Sequence, residues 1–354
     1  MICPECKGGL EFFDAERENI DGVLRCAGAH VYPVIRGVPV LICNDHLEEF
    51  LSDGERASLK NLCEKRGMKF NFRSKRDLGA EVLRKSSGNW SFQWNTYDNE
   101  KTVWEDEETF KEHIPLDFGK TRGDATVLEI GCGRGRNIKR VKNKNNLVFA
   151  IDISESAYLA HKRYEQTENV FVIRADAARL PFGDDFFEVV LSDHTLQHIY
   201  DLGACFDEVC RVSKKDSRFI FNLYSRENNA LMIRFIEPLK RAMLDKLPIQ
   251  CVHFFAHFPA VLLWLSLRLV YFPLYRRAPK LYKALPLFQH MVFWFAFSYG
   301  LLRQTCFDLL QAPKAYYFSG EEIQKLCDEK QFRLERKYLL RQTLWVCVGS
   351  FCKG

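Results

Sequence analysis

Two pairs of metal-ligating residues stand near the start of the chain: Cys3 and Cys6 in "CPEC", then Cys26 and His30 in "CAGAH". Thiolate and imidazole groups at this spacing suit a tetrahedral zinc ion. Four protein ligands leave no open position for a reactive water, so such a site is structural. Gly8 lets the backbone turn around the metal. Leu10, Phe12 and Phe13, then Val23 and Leu24, predict a small hairpin with an apolar face. About forty residues cannot build a full core, so a metal would supply the missing folding free energy. The plainer reading makes Cys26 a buried thiol and His30 a loop residue, and Cys43 is a lesser candidate for the fourth ligand.

A second set of residues repeats a different pattern, an apolar run ending in a glycine loop or an acid. "TVLEIGCGRGRNIKRV" predicts a buried strand over 126–130, a turn at Gly131, Gly133 and Gly135, and helix from Asn137 onward. "LVFAIDIS" predicts a strand ending at Asp152, "VFVIRADAARLPF" one ending at Asp176, and "FFEVVLSDHTLQHI" one ending near Ser192 and Asp193. Doubly wound sheets bind ligands beyond the carboxyl ends of their strands, so these acids belong to one rim. Asp152 can accept hydrogen bonds from both hydroxyls of a ribose, and Asp176 from an exocyclic adenine amine. Glu129 precedes the glycine loop. A carboxylate there would repel a pyrophosphate, but it suits a cationic amino acid. S-adenosylmethionine offers an ammonium, a sulfonium and an adenosine.

With these motifs the chain resembles the class I S-adenosylmethionine-dependent methyltransferases, in the branch that includes ubiquinone/menaquinone-biosynthesis C-methyltransferases. "VLEIGCGRG", "AIDIS", "ADAARLPFGDDFFEVVLSDHTLQHI" and "FDEVCRVSKKDSRFIFNLY" carry the likeness over 125–224, and it returns at 316–354. The resemblance implies an α/β, Rossmann-like sheet of seven strands with the last antiparallel. It places Glu129, Gly131 and Gly133 at the methionine portion of the cofactor, Asp152 at the ribose, and Asp176 with Ala177 at the adenine, with Cys132 and Ile153 also among the cofactor-binding residues. "KKDSR" at 214–218 stands where the family commonly has Pro-Gly-Gly, in an expected turn before the fifth strand. Residues 1–42, with "VYPVIRGVPVLI", resemble the small zinc-ribbon partners of tRNA and protein methyltransferases. Those close with a second CxxC, whereas CxxxH is closer to the zinc finger of ribosomal RNA guanine methyltransferases. An uncharacterised group of methyltransferases is similar over most of the chain. It combines a zinc ribbon, a segment like "SFQW", a helical insertion, and elements like "CFDLLQAP" and "SGEEIQKLC".

The elements that must position these groups divide the chain. A zinc ribbon is expected at 1–44, a helical connector and N-terminal lobe at 45–119, the methyltransferase core at 120–225 and 316–354, and a helical insertion at 226–315. Leu47, Phe50 and Leu51 keep helical spacing in a charged stretch that reads as linker with one or two surface helices. Trp90, Phe92 and Trp94 alternate as in an extended segment, either in the core or on the wall of an active-site mouth. Ser319 and Glu322 form a capping box for a helix over 320–329, and the last two strands form an antiparallel hairpin.

The insertion holds two runs free of Asp, Glu, Lys and Arg, 247–267 and 284–302, around Arg268, Arg276, Arg277, Lys280 and Lys283. Over 226–315 there are twelve Lys and Arg against four Asp and Glu, more than the whole chain's net charge of +5. Three readings stand: a lid buried on the core, apolar helices lying in the interface of an anionic membrane through 247–303, or two membrane spans. Thirteen cysteines, an odd number, fit a reducing compartment. No signal peptide is expected. The expected location is the cytoplasm, at the inner face of a membrane if the insertion binds one.

Methyl transfer is a displacement at carbon in which the protein mainly positions the acceptor, with a base only where the acceptor carries a proton. His198 and Asp193 are candidate bases, with His194 beside them, and Tyr316 or Tyr317 could close over the acceptor. "SDHT" stands where base and glutamine amino-group methylases carry an NPPY-type motif. A carbon or oxygen of a small, hydrophobic or lipid-linked acceptor is therefore favoured. The rival readings are RNA base methylation guided by the ribbon and a non-catalytic cofactor-binding adaptor. A nucleic-acid partner is not expected, because the basic surplus sits in the most apolar segment rather than in a polar aromatic groove.

Overall fold

The short apolar runs form parallel strands whose side chains are buried on both faces, as such runs must be. In a computed structural model that describes all residues except 16–18, 73–77, 98–102, 117, 119–123, 144 and 354, the strands are β1 (Leu10–Asp14), β2 (Gly22–Cys26), β3 (Val31–Ile35), β4 (Val38–Leu41), β5 (Thr126–Ile130), β6 (Leu147–Asp152), β7 (Val170–Ala175), β8 (Phe187–Ser192), β9 (Ser213–Ser225), β10 (Tyr317–Phe318), β11 (Phe332–Leu340) and β12 (Leu344–Phe351). Their order is β1-β2-β3-β4-β7-β6-β5-β8-β9-β12-β11, with β10 beside β9. The seven expected strands are the segment from β7 to β11, in which β12 runs antiparallel to both neighbours.

The sheet has twelve strands rather than seven because the four N-terminal strands are sewn onto it and the short β10 joins β9. β4 pairs in parallel with β7, Val40 opposite Arg174 and Leu41 opposite Ala175. Cys3, Leu24, Cys26 and Tyr32 then share one apolar cluster with Ile151, Ile173, Phe182 and Phe187 of the central sheet. Strand order reverses between β6-β5 and β5-β8, which opens a crevice at the carboxyl end of β5. In register, Ile130 faces Ile151, Ile151 faces Ile173 and Glu129 faces Leu191, so the strand ends lie level.

Three local expectations are corrected. The stretch after the ribbon is not a loose linker: Leu47, Phe50, Leu51, Leu59, Leu62 and Cys63 are buried in the main core, and the Asp53–Lys65 helix starts in a Ser52/Glu55 capping box. Trp90 to Trp94 belong to a helix, Leu78–Thr96, rather than an extended segment. "KKDSR" lies inside β9, where Asp216 takes a φ of +61° and the pairing with β8 shifts register, as at a bulge. The expected boundary at 119/120 lies outside the described residues.

The insertion is helical: Glu237–Ala242, a continuous run Ile249–Arg277, Pro279–Ala284, Phe288–Trp294 and Tyr299–Gln311. Two long apolar runs were legible, but among the described residues one helix is long and apolar enough to cross a membrane. The second run breaks at 295–298, where Ser298 caps the next helix by accepting from the Leu301 amide, and it buries Met291, Phe297, Leu301 and Leu302.

Candidate active site

The glycine loop after β5 is held by its backbone. Gly131 and Cys132 amides both donate to the Ile151 carbonyl, at 2.8 and 3.0 Å. Gly131 and Gly133 take φ of +75° and +52°, the left-handed region that glycine enters at little cost. A Cβ on Gly131 would stand 2.1 Å from Thr195 Oγ1, so the residue is needed for close approach as well as for its turn. The Gly133 amide donates to Asp152 Oδ2 at 2.8 Å, while Ser154 N and Oγ donate to Oδ1 at 2.8 and 2.6 Å. Asp152 is therefore fixed at the end of β6. Asp176, one residue past β7, accepts from the Ala178 amide at 2.9 Å, and burial raises its pKa.

Glu129 is nearly inaccessible, and its Oε2 has no hydrogen-bond partner among the described residues. Burial pushes its carboxyl up to about 8. A buried acceptor left open in this way calls for a cationic or donor partner from outside the chain.

These groups line one cavity of ≈ 560 Å³. Its wall includes all eight residues expected to bind cofactor: Glu129, Gly131, Cys132, Gly133, Asp152, Ile153, Asp176 and Ala177. It also includes Asp193, His194 and His198. Trp90 and Trp94, one helical turn apart, face it together, while Phe92 packs on His253 and Phe307. The far end is walled by the insertion through Met232, Pro259, Leu263, Met291, Trp294 and Leu301, and is mostly apolar. Tyr317 lines the cavity, whereas Tyr316 donates to the Tyr200 carbonyl at 3.1 Å and is not on its wall.

The two candidate bases are in different states. Asp193 Oδ2 accepts from Arg136 at 2.6 Å and Asn137 at 3.3 Å, and Oδ1 meets His113 Nδ1 at 3.2 Å. Burial alone would raise its carboxyl, but His113, His194 and Arg136 outweigh this and hold it well below the usual range. His113, Asp193 and His194 lie close enough to hold a cation, yet Arg136 already supplies the positive charge. Asp193 is thus engaged in anchoring. His198 sits in a single 3-10 turn, Leu196–His198, rather than on a helix. Its Nδ1 lies 2.9 Å from the Lys314 carbonyl, which can only accept, so Nδ1 carries the hydrogen. Nε2 keeps its lone pair, is buried, and has no partner among the described residues. Burial lowers its pKa to about 4.

Sequence reasoning did not single out Asp308 or Gln93. Gln93 Nε2 donates to Asp308 Oδ1 at 2.7 Å, Gln311 Nε2 donates to Gln93 Oε1 at 3.0 Å, and burial pushes Asp308 up to about 6. Both Gln93 and Asp308 line the cavity. The signal was present in "SFQW" and "CFDLLQAP", two segments more than two hundred residues apart that only the fold brings together.

Residues 128–221 match the family described as "Methyltransferase domain". This segment therefore carries a methyltransferase domain. The chain is 27% identical over 143 residues to a malonyl-[acyl-carrier protein] O-methyltransferase of Buchnera aphidicola, covering 40% of this chain and 53% of the relative. It is 35% identical over 118 residues to a demethylmenaquinone methyltransferase of Mycolicibacterium paratuberculosis, covering 33% and 50%. The chain thus spans about half the length of these relatives. Among solved structures, a 1,6-didemethyltoxoflavin-N1-methyltransferase of Burkholderia thailandensis with bound S-adenosylhomocysteine is 12% identical, with a TM-score of 0.48 over 79% of this chain and 93% of that one.

The cradle fits S-adenosylmethionine, the cofactor that the resemblance implies. The open Glu129 oxygen suits an ammonium, the glycine loop admits a close-lying ligand, and Asp152 and Asp176 offer carboxylates along the same wall.

A second cluster lies in the N-terminal ribbon. Cys3, Cys6, Cys26 and His30 each direct a ligand atom within 4.8 Å of the others. Cys6 and Cys26 Sγ are 3.5 Å apart, and His30 Nδ1 is 3.5 Å from Cys3 Sγ and 3.4 Å from Cys26 Sγ. A tetrahedral ion with sulfur ligands at about 2.3 Å would set such edges near ~3.8 Å. Glu5 Oε2 lies 3.5 Å from His30 Nε2 and its Oε1 accepts from Tyr32 at 2.8 Å, which places a carboxylate beside the imidazole, as metal-binding histidines commonly have. Cys43 is outside the cluster and instead accepts from Arg179 at 3.1 Å.

Proposed function

We propose that the chain is an active S-adenosylmethionine-dependent methyltransferase acting on a carbon or oxygen of a hydrophobic acceptor, with a structural zinc ion in its ribbon. The observation that carries this reading is the polarity of one continuous cavity. It has carboxylates and open glycine backbone at the β5 end, and an apolar chamber built by the insertion at the other. S-adenosylmethionine, when bound, supplies an activated methyl group. Glu129, Asp152 and Asp176 bind and orient it. The aromatic wall of Trp90, Trp94 and Trp104 excludes water and confines the acceptor. His198 Nε2 is placed to accept a proton from an acceptor hydroxyl or acidic carbon, while Nδ1–H is held by Lys314.

The two named relatives act on demethylmenaquinone and on a malonyl-[acyl-carrier protein], which supports an apolar or thioester-linked acceptor. For zinc, the support is the four-ligand cluster and its carboxylate backing. The test is transfer of labelled methyl groups into a cell extract, followed by fractionation. Label in the organic-solvent fraction is expected. Label in RNA would replace this reading with base methylation. Absence of calorimetric heat on adding S-adenosylmethionine to folded protein would leave a non-catalytic adaptor.

A further inference from the structure

The helical run Ile249–Arg277 is turned inside out. Its inward side is Val252, Ala256, Ala260 and Leu267, mostly small, packed in part on Cys306 and Phe307 of the Tyr299–Gln311 helix. Its outward side is Phe254, Phe258, Leu262, Leu265 and Leu269, spaced by three and four residues, with Leu262 69% and Leu269 70% exposed. A helix facing water shows the opposite arrangement. Only 17% of its most apolar window is buried. The preceding segment repeats the pattern, with Leu231, Phe235, Leu239 and Met243 exposed at every fourth position.

Charge along this helical run and the turn after it has one sign. No acidic residue occurs between Asp245 and Asp308, while Arg268, Arg276, Arg277, Lys280 and Lys283 are all exposed. Arg268 lies 5.6 Å from the centre of the Trp264 ring and Arg276 5.1 Å from that of Phe272. Each guanidinium therefore lies over an aromatic ring, which places cations directly against the apolar surface, as at a boundary between hydrocarbon and headgroups. Leu231 and Pro259 are exposed and at the same time on the cavity wall, which places the mouth of the apolar chamber beside this surface.

We infer that the outward face of Ile249–Arg277 docks this protein on the interface of an anionic bilayer, lying in it rather than crossing it. A bilayer is favoured over a protein partner or a second copy because the outward stripe offers no hydrogen-bonding groups to match, and cations without any acid border it. The chamber mouth then opens where lipid-like acceptors are concentrated. This last step rests on the hydrophobic-acceptor reading. The docking itself does not, because it is measured without turnover.

Vesicle flotation of the full chain tests it. Phosphatidylcholine vesicles containing phosphatidylglycerol should carry the protein upward, with affinity at least about tenfold above that for phosphatidylcholine alone. L262E/L269E should lose flotation while its circular dichroism and its calorimetric binding of S-adenosylmethionine match the wild type, since neither leucine lines the cavity. R276E/R277E should lose the preference for anionic lipid. The inference is overturned if the wild-type protein stays down with both vesicles, or if L262E/L269E floats equally well. It is also overturned if the wild type sediments as a dimer that L262E/L269E dissociates and neither binds vesicles, since the face then belongs to a second copy.

Discussion

A histidine with one nitrogen tied to a carbonyl and the other open presents a base of fixed tautomer, and His198 has that form. Asparagine separates its two roles. In H198N the amide nitrogen can still donate to Lys314, but nothing stands at the Nε2 position. We expect H198N and H198A to lose methyl transfer by about 10²–10⁴-fold, with cofactor affinity unchanged and H198N the more stable of the two. Wild-type turnover in H198N would remove the base and leave only the structural bond. Glu129 gives a different signature. Its folded pKa of about 8 means that it holds a proton at neutral pH, while an ammonium beside it would expel that proton. Bound protein then carries fewer protons than free protein, so affinity for S-adenosylmethionine should rise with pH and level off above about 8. Calorimetry at pH 7 in phosphate and in Tris should give enthalpies that differ by the buffers' ionisation heats. Equal enthalpies would exclude Glu129 as the ammonium's partner. The rim acids Asp152 and Asp176 were legible because each ends an apolar run. Asp308 was hidden, since nothing local pairs it with Gln93.

At the scale of elements, the buried strands were readable as continuous apolar runs, and the helix carrying Trp90 and Trp94 was not. A spacing of four satisfies both the period of a strand and that of a helix, so those two positions share a face either way. Phe92 decides, and it leaves that face for the insertion. Nor could local pattern show that β4 would join β7, because strand pairing across more than a hundred residues is chosen by the assembled sheet. That joint carries a prediction. The ribbon clusters Cys3, Cys6, Cys26 and His30, and its last strand borders β7, whose end places Asp176. Stripping zinc with a chelator, or making C26S, should loosen β4 from β7. Each backbone hydrogen bond is worth about 1 kcal/mol, so the loss of one or two should weaken S-adenosylmethionine by roughly tenfold. Metal analysis should first find one zinc per chain. Unchanged cofactor affinity in zinc-free protein would confine the metal to local folding.

Across the whole molecule, sequence could not orient the insertion, because a helix apolar on every side gives no period to read. Only the small residues Ala256 and Ala260 marked its inner side. Partial burial there and around β8 surrounds three histidine rings with protein. His194 is pushed down to about 3, His198 to about 4 and His290 to about 4, each chiefly by burial. In the unfolded chain each would titrate near ~6.5. Between these limits the unfolded state binds protons that the folded state refuses, so stability is whole above about pH 6.5 and falls as pH drops toward 4. Asp193 is opposite in chemistry but not in direction, since its depressed carboxyl withholds its contribution only at still lower pH. Guanidinium unfolding from pH 7 to 4 should show a midpoint that declines steeply below 6.5. H290Q replaces a titrating group 3.1 Å from Thr343 with a neutral one and should make that decline shallower. A midpoint flat over this range would mean that the three rings are hydrated in solution, and that the apolar chamber they border is open to water.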